Sequence, residues 1–306
     1  MENATSYFNL TMFVHIGPYR YPAFAVCLAL YGFIVCANLV IILVIGREKS
    51  LQEPMYIFIA FLSFNSLYGS TGFFPRLLLD LLSNRHLISR TACFTQIYFV
   101  YTYACNEMTT LSVMAYDRYV AVCQPLHYHT RMTAARALSL AALAWLPPAF
   151  FLAACIYLSA SLPLCGNHIQ KVFCANWNVV KLSCVPTTLN NVVGMMVTVT
   201  TVFCPLFFVL YTYARIVKAC WRRSDEFKGK VFQSCSAHVV TFIIFSITAF
   251  CDIALSRYDL EEVNPFAAVI LSLEFVVIPP FLNPLVYGLK LPEIRRHISK
   301  LLGFID

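Results

Sequence analysis

Residues 114–126 read MAYDRYVAVCQPL and end the third long apolar stretch of this chain. Asp117, Arg118 and Tyr119 stand side by side there, at the point where a hydrocarbon environment should give way to water. The tripeptide alone is weak evidence. Its position at a predicted membrane boundary, 25 residues after Cys93 and shortly before Pro125, makes it specific.

The composition is that of a membrane protein. Of the 306 residues 59% are hydrophobic and 12% are charged, whereas soluble domains carry about 25% charged residues. A helix of about 20 apolar residues crosses a bilayer core of about 30 Å. The sequence therefore predicts an all-α membrane protein, a bundle of seven transmembrane helices. The predicted spans are residues 22–46, 55–75, 92–116, 137–159, 189–214, 231–251 and 263–289.

The distribution of basic residues predicts the orientation of the bundle. With the N-terminus outside the cell, 15 of the 22 Lys and Arg residues fall in the inner loops and tail, the side on which basic residues accumulate. Residues 1–13 lack the basic start and apolar core of a cleavable signal peptide, so the first helix is expected to act as its own insertion signal. This topology explains the net charge of +7 without a nucleic-acid partner.

The chain has no internal repeat or linker, so a single domain is expected over residues 1–306. Residues 1–21 would be extracellular, residues 22–289 would form the bundle, and residues 290–306 would form a cytoplasmic amphipathic helix and tail. Two Asn-x-Thr sequons in the outer segment predict glycosylation, at Asn3 and Asn9.

Four of the 13 cysteines lie on the side predicted to face outside. In an oxidising compartment four thiols imply two disulfide bridges with three possible connectivities, and the sequence alone does not choose among them. The four are Cys93, Cys165, Cys174 and Cys184.

Two predicted spans carry a strongly polar residue near their middle, Asn38 in the first and Glu107 in the third. A polar group without a partner in hydrocarbon is costly, so both should face the bundle interior. Glu107 would be protonated or partnered there. It would either belong to a polar cluster that differs between two states of the protein or make one buried structural hydrogen bond.

Four motifs in register carry a resemblance that extends over nearly the whole chain. Residues 54–56 read PMY, residues 114–123 MAYDRYVAVC, residues 230–238 KVFQSCSAH and residues 280–289 PFLNPLVYGL. The chain thereby resembles class A (rhodopsin-like) G-protein-coupled receptors, and among them the odorant receptors. Two short motifs, LYG at residues 67–69 and LLDLL at residues 78–82, resemble those of the fish-type odorant receptors.

Two positions depart from the family pattern. Ser66 stands where most of the family has an aspartate that helps to hold sodium, so a sodium site is in doubt and Glu107 is the candidate for the missing charge. In the sixth helix the family's Phe-Tyr-Gly is replaced by Phe245-Ser246-Ile247, which alters the expected aromatic toggle.

The resemblance implies a function and two bridges. The chain would bind a small odorant and activate a stimulatory olfactory heterotrimeric G protein, raising cyclic AMP, at the plasma membrane of sensory cilia. No cofactor and no metal site is expected. The implied disulfides are Cys93–Cys174 and Cys165–Cys184.

The resemblance also implies a switch near the inner face. In the resting state Asp117 would hold Arg118, and on activation the sixth helix would swing outward while Arg118 extends toward Tyr213 and the G protein. Tyr287 would turn inward. The residues expected in the switch are Asp117, Arg118, Tyr119, Tyr213, His238, Asn283, Pro284 and Tyr287.

A ligand pocket is expected in the outer third, between the third, fifth, sixth and seventh helices. Small, aromatic and hydroxyl side chains at inward-facing positions there suit a small ligand with one or two polar groups. Asp252 and Arg257 would instead favour a charged, water-soluble ligand. The expected pocket residues are Val100, Tyr101, Ala104, Cys105, Thr198, Thr201, Ala249, Phe250, Ile253, Val269 and Leu273.

Two other classes of membrane protein fit the sequence less well. Transporters tend to show paired inverted repeats and broken helices, and an intramembrane enzyme needs a nucleophile and base or a metal set. The sequence has neither pattern, and the two imidazoles of His127 and His129 do not make a metal site. We interpret the chain as a receptor and not an enzyme, with a non-olfactory class A receptor or a membrane transporter as alternatives.

Overall fold

The computed structural model describes residues 6–221, 223–257 and 265–301. Within these ranges the chain forms seven long helices and one short final helix, as the apolar runs predict. They are α1 (Arg20–Arg47), α2 (Pro54–Leu82), α3 (Arg90–Cys123), α4 (Ala134–Ala160), α5 (Thr188–Cys220), α6 (Asp225–Arg257), α7 (Pro265–Lys290) and α8 (Pro292–Leu301).

Several helices continue past the apolar run that predicts them. The sequence predicts the second span over residues 55–75, but α2 runs to Leu82, and its added turns carry an ion pair of 2.7 Å between Arg76 and Asp80. Two further pairs, Lys228 with Asp225 and Lys230 with Glu226, lie in the first turns of α6. Such pairs stabilise a helix where the hydrocarbon ends.

Five of the described helices are long and apolar enough to cross a membrane by themselves, namely α1, α2, α4, α5 and α6. The last part of α7 and α8 qualify together as a pair bent by 98°. α3 is more polar because it is the central helix. Its Gln96, Asn106 and Glu107 are buried against neighbouring helices, so it needs no apolar surface on every side.

The interior consists of two apolar clusters with a polar layer between them. One cluster includes Phe73 and Phe275, and the other includes Leu111 and Phe242. The polar layer contains the side chains that the middle of the bundle buries, among them Asn38, Asn65, Ser66, Glu107 and Asn283.

Two disulfides cross-link one end of the bundle. Cys93 at the start of α3 bonds to Cys174 in the α4–α5 loop, and Cys165 bonds to Cys184 within that loop. These are the pairs that the resemblance implies. We call this end of the molecule the bridged end, and the opposite end the Arg118 end.

A small β-sheet at the bridged end was not anticipated by the sequence. Strand β1 (Tyr7–Leu10) pairs antiparallel with β2 (Leu87–Ser89) and parallel with β3 (His168–Ile169). Alternate residues of β1, Phe8 and Leu10, are fully buried. The segment before α1 is therefore anchored to two loops and packed into the core.

Candidate functional site

Arg118 is held at one end of the bundle by residues from two helices. Its guanidinium donates to Asp117 Oδ2, at 2.9 Å from Nε and through a second short contact from Nη2. Its Nη1 donates to Ser234 Oγ of α6 at 2.7 Å. The sequence predicts the Asp117 contact, whereas Ser234 was missed although it lies inside the quoted SCSAH motif.

Asp117 has a second partner, Tyr128. Tyr128, in a short helix (Tyr128–Arg131) after α3, donates its hydroxyl to Asp117 Oδ1 at 2.9 Å. Burial, and then the nearby Asp117 carboxylate, raise the pKa of Tyr128 above its ordinary value. The phenol therefore stays protonated, and Asp117 is satisfied as an acceptor on both oxygens.

His238 links α3, α5 and α6. Tyr213 Oη lies 2.7 Å from His238 Nδ1, and His238 Nε2 lies 2.8 Å from the carbonyl oxygen of Leu111. A carbonyl only accepts, so Nε2 carries the proton and Tyr213 donates to Nδ1. Tyr213 is thus engaged by His238, while Tyr119 is half-buried against the neighbouring apolar cluster.

Glu107 joins α2 and α7 to α3. Asn65 Nδ2 donates to its Oε2 at 2.8 Å and Asn283 Nδ2 to its Oε1 at 2.5 Å. One turn after Asn283, which Pro284 follows within α7, Tyr287 Oη lies 2.9 Å from Thr241 Oγ1 of α6. The predicted partner for Glu107 therefore comes from two helices.

The other two residues of the predicted polar core, Asn38 and Ser66, are also buried. Asn38 donates to the carbonyl oxygens of Ile34 and Pro280, at 2.9 and 3.1 Å. Ser66 is buried, and its Oγ has no hydrogen-bond partner among the described residues. Asn9 is half-buried in β1, whereas Asn3 and the side chain of Arg257 lie outside the described part of the chain.

A cavity of about 160 Å³ lies toward the bridged end. Helices α3 to α7 and the α4–α5 loop enclose it. Seven of the eleven residues predicted for the pocket line it: Tyr101, Ala104, Cys105, Thr198, Thr201, Ala249 and Ile253.

Four of the predicted pocket residues do not line the cavity. Val100 and Val269 are buried in the apolar cluster, and Leu273 packs against that cluster. Phe250 is 59% exposed, because residues 249, 252 and 253 share the inward face of α6 and position 250 falls on the other side. From α7 the cavity receives Phe275 instead.

The cavity also has walls that helical spacing did not reveal. A short loop helix (Asn176–Val180) contributes Asn176, Trp177 and Val180, and α4 contributes Leu152, Cys155 and Ile156. The loop helix reaches the cavity because the Cys93–Cys174 bridge ties its start to α3. That placement depends on the pairing of the cysteines, which the sequence alone left open.

One charged residue lines the cavity within the described part of the chain, Asp252 of α6. Its Oδ1 accepts a hydrogen bond of 2.8 Å from Nζ of Lys171 in the α4–α5 loop. Asp252 was predicted from the sequence as a residue that would favour a charged ligand, whereas Lys171 was not predicted.

The seven-helix bundle, with its acid–arginine pair and its bent α7–α8 junction, has a rhodopsin-like fold. The fold is similar to the crystal structure of squid rhodopsin, with a TM-score of 0.72 over 92% of this chain and 86% of that chain, at 19% sequence identity. The predicted seven-helix fold class is thereby confirmed.

The family is shown by sequence. The family model described as "Olfactory receptor" matches residues 26–304. The chain is 33% identical to human olfactory receptor 6N1, over 96% of this chain and 94% of that protein. It is 32% identical to olfactory receptor 1D2 of Pongo pygmaeus, over 90% and 87%.

The chain belongs to the olfactory receptor family. It is an odorant-sensing G-protein-coupled receptor of the plasma membrane, and not an enzyme. The predicted receptor class is confirmed, and the similarity to fish-type members stays a prediction.

Proposed function

We propose that a small odorant binds in the cavity of about 160 Å³ and that the receptor then activates a stimulatory olfactory G protein, raising cyclic AMP. The observation that carries this proposal is the position of α6. Ala249, Asp252 and Ile253 of α6 line the cavity, while Ser234 of the same helix bonds to Arg118.

The physical basis is that α6 is one continuous helix of 33 residues. A ligand biases a two-state equilibrium by the difference between its contacts in the two states. Contacts at residues 249–253 therefore change the energy of the Arg118–Ser234 hydrogen bond through a rigid element. The described arrangement, with Arg118 paired to α6, corresponds to the resting state.

Activation would move the Arg118 end of α6 outward. Arg118 would leave Ser234, Tyr213 would exchange His238 for Arg118, and Tyr287 would leave Thr241 and turn inward. The groove between α5 and α6 would then accept an amphipathic helix of the G protein. Asp117, Tyr119, Asn283 and Pro284 would shape this inner site.

The bridged end would face outside and the Arg118 end inside. The two disulfides at the bridged end favour an oxidising compartment, and basic residues collect in the loops and tail at the other end. Asn3 and Asn9 would then lie on the glycosylated side. An odorant receptor would act in sensory cilia. Residues 1–21 would be the extracellular segment, residues 22–289 the helix bundle, and residues 290–306 the cytoplasmic helix and tail.

The test is a cyclic AMP reporter in cells that express the full chain, challenged with amines, alcohols, carboxylic acids, amino acids and steroids. Arg118→Ala should abolish the response of any active compound. Arg136→Ala is the matched control, because that arginine is exposed at the start of α4, and its response should equal wild type. A full response from Arg118→Ala at equal surface expression would refute the proposal.

A further inference from the structure

A buried ion pair closes one side of the cavity. Lys171 and Asp252 are 1% and 7% exposed, and 2.8 Å separates Nζ from Oδ1. The ammonium of Lys171 also lies 5.1 Å from the centre of the Phe173 ring. Asp252 is among the residues that line the cavity and Lys171 is not. A bound molecule therefore meets the carboxylate first.

The threonine hydroxyls and one thiol of the cavity wall donate their hydrogen bonds within the protein. Thr198 donates to the carbonyl oxygen of Gly194 at 2.9 Å and Thr201 to that of Val197 at 2.8 Å. The thiol of Cys105 in turn donates to Thr201 Oγ1 at 3.3 Å. These side chains have few protons left to offer a ligand.

Hydrogen-bond acceptors remain. Asn176 and Asn191 line the cavity, and their buried Oδ1 atoms have no partner among the described residues. Their amide nitrogens approach Cys155 Sγ at 3.9 Å and Thr187 Oγ1 at 3.5 Å. A buried acceptor without a partner is unfavourable, so a ligand that supplies protons gains binding energy.

We propose that the cavity selects small primary amines, with the ammonium group bound to Asp252 and the hydrocarbon part among the apolar walls. The proposal rests on the ligand site proposed above. A cavity of about 150 Å³ holds a benzene-sized molecule, and this one measures about 160 Å³. Ile97, Leu152 and Phe245 provide apolar surface.

The positive charge of the ligand should favour binding of an amine over the alcohol or the carboxylic acid of the same skeleton. Alkyl ammonium groups are protonated at neutral pH, as lysine is, and a charged hydrogen bond to a carboxylate is stronger than a neutral one. An alcohol of the same shape lacks that charge, and a carboxylate ligand is repelled by Asp252.

The ligand competes with Lys171 for one carboxylate. Because Lys171 lies in the loop and Asp252 on α6, the ion pair ties the loop to the helix that is proposed to move. An ammonium that shares Asp252 with Lys171 weakens this tie without leaving the buried Lys171 charge unpaired. The two partners of the ion pair should therefore have opposite effects on amine sensitivity.

The first experiment compares variants in the cyclic AMP assay. The probes are primary amines of about four to eight carbon atoms, each with the alcohol and the carboxylic acid of the same skeleton. Asp252→Asn should raise the half-maximal amine concentration at least about tenfold, and Lys171→Met should lower it. Asp252→Glu keeps the charge and should keep the preference for amines.

The matched control is Asp80→Asn, which weakens the partly buried Arg76–Asp80 ion pair at the same end of the bundle. It should leave the relative sensitivity to the three compound classes unchanged at equal surface expression. Equal losses in Asp252→Asn and Lys171→Met would overturn the proposal, because the pair would then only hold the loop. A wild-type preference for alcohols or acids would overturn it as well.

A binding measurement separates this inference from the proposed function. Amines should raise the melting temperature of the purified chain in detergent, the matching alcohols should not, and Asp252→Asn should abolish the shift. A shift without any cyclic AMP response would refute the proposed coupling and keep the amine site. No shift with any amine would refute the amine site, whether or not other compounds signal.

Discussion

At the scale of single residues, the Arg118 network explains how a permanent cation is kept at the edge of a membrane protein. Asp117 supplies the counter-charge, and Ser234 supplies a hydrogen bond from another helix. Tyr128 holds the carboxylate from the other side. Among the side-chain hydrogen bonds of the described residues, the one to Ser234 links Arg118 to α6, so its loss should favour the active state.

Ser234→Ala should therefore raise the basal cyclic AMP level. A hydrogen bond to a charged group contributes about 1.5–3 kcal/mol, and about 1.4 kcal/mol shifts an equilibrium tenfold. The reporter without added ligand measures this shift. Ser139→Ala on α4 is the control, because Ser139 is exposed and its Oγ bonds to Ala135 of the same helix in the described residues. Equal basal levels in Ser234→Ala and wild type would contradict the role of this bond.

The motifs predicted a switch that includes Tyr213 and Asn283, but they did not reveal how these residues pair. Tyr213 bonds to His238, and Asn283 to Glu107. Such partners depend on how the helices are rotated against each other. Periodicity reports only that a face is buried, so it found Ala249 and Ile253 but also selected Val100, which packs in the core beside the cavity.

At the scale of elements, the close packing of α2 against α3 depends on two glycines. A Cβ atom at Gly69 would lie 2.4 Å from Tyr103 Cγ, and one at Gly72 would lie 2.4 Å from Phe99 Cβ. Small residues allow membrane helices to approach closely. The position of α3, which carries both Glu107 and Arg118, is set by this contact.

Gly69→Ala should destabilise the receptor by about 1–3 kcal/mol, the usual cost of overpacking a core. The melting temperature of the purified chain in detergent measures the effect. Gly32→Ala is the matched control within α1, because nothing lies within 4 Å of its added Cβ and alanine favours a helix. A Gly69→Ala variant as stable as wild type would show that α2 and α3 are less tightly packed than described.

The loop over the cavity depends on its disulfides. Three variants should lose the same stability, about 3 kcal/mol for a closed loop of this length, because each removes the same disulfide. They are Cys165→Ser, Cys184→Ser and the double variant. Cys36→Ser, at an exposed free cysteine, should melt like wild type. Additive losses in the double variant would mean that the two cysteines are not bonded to each other.

The sequence predicted the helices that cross the membrane. Seven apolar runs gave seven helices because a membrane crossing requires about 20 apolar residues. Strand β1 and the loop helix Asn176–Val180 were missed. Both are short, and both are stabilised by partners distant in sequence, β1 by β2 and β3 and the loop helix by the bridge to α3.

At the scale of the whole molecule, α6 joins the two sites. It contributes Asp252 to the cavity at one end and Ser234 to the Arg118 network at the other. The polar layer around Glu107 lies between the two apolar clusters and binds α2, α3 and α7 together. In the proposed account α6 moves while this layer keeps the rest of the bundle in place.

The most direct test measures the distance between the Arg118 ends of α4 and α6. Spin labels on unnatural residues at Leu138 and Phe232, which are both exposed, report that distance in the purified receptor by pulsed electron resonance. The compound with the largest cyclic AMP response should lengthen it by several ångströms, and in Ser234→Ala part of the population should be long without ligand. An unchanged distance with a fully active compound would contradict the account.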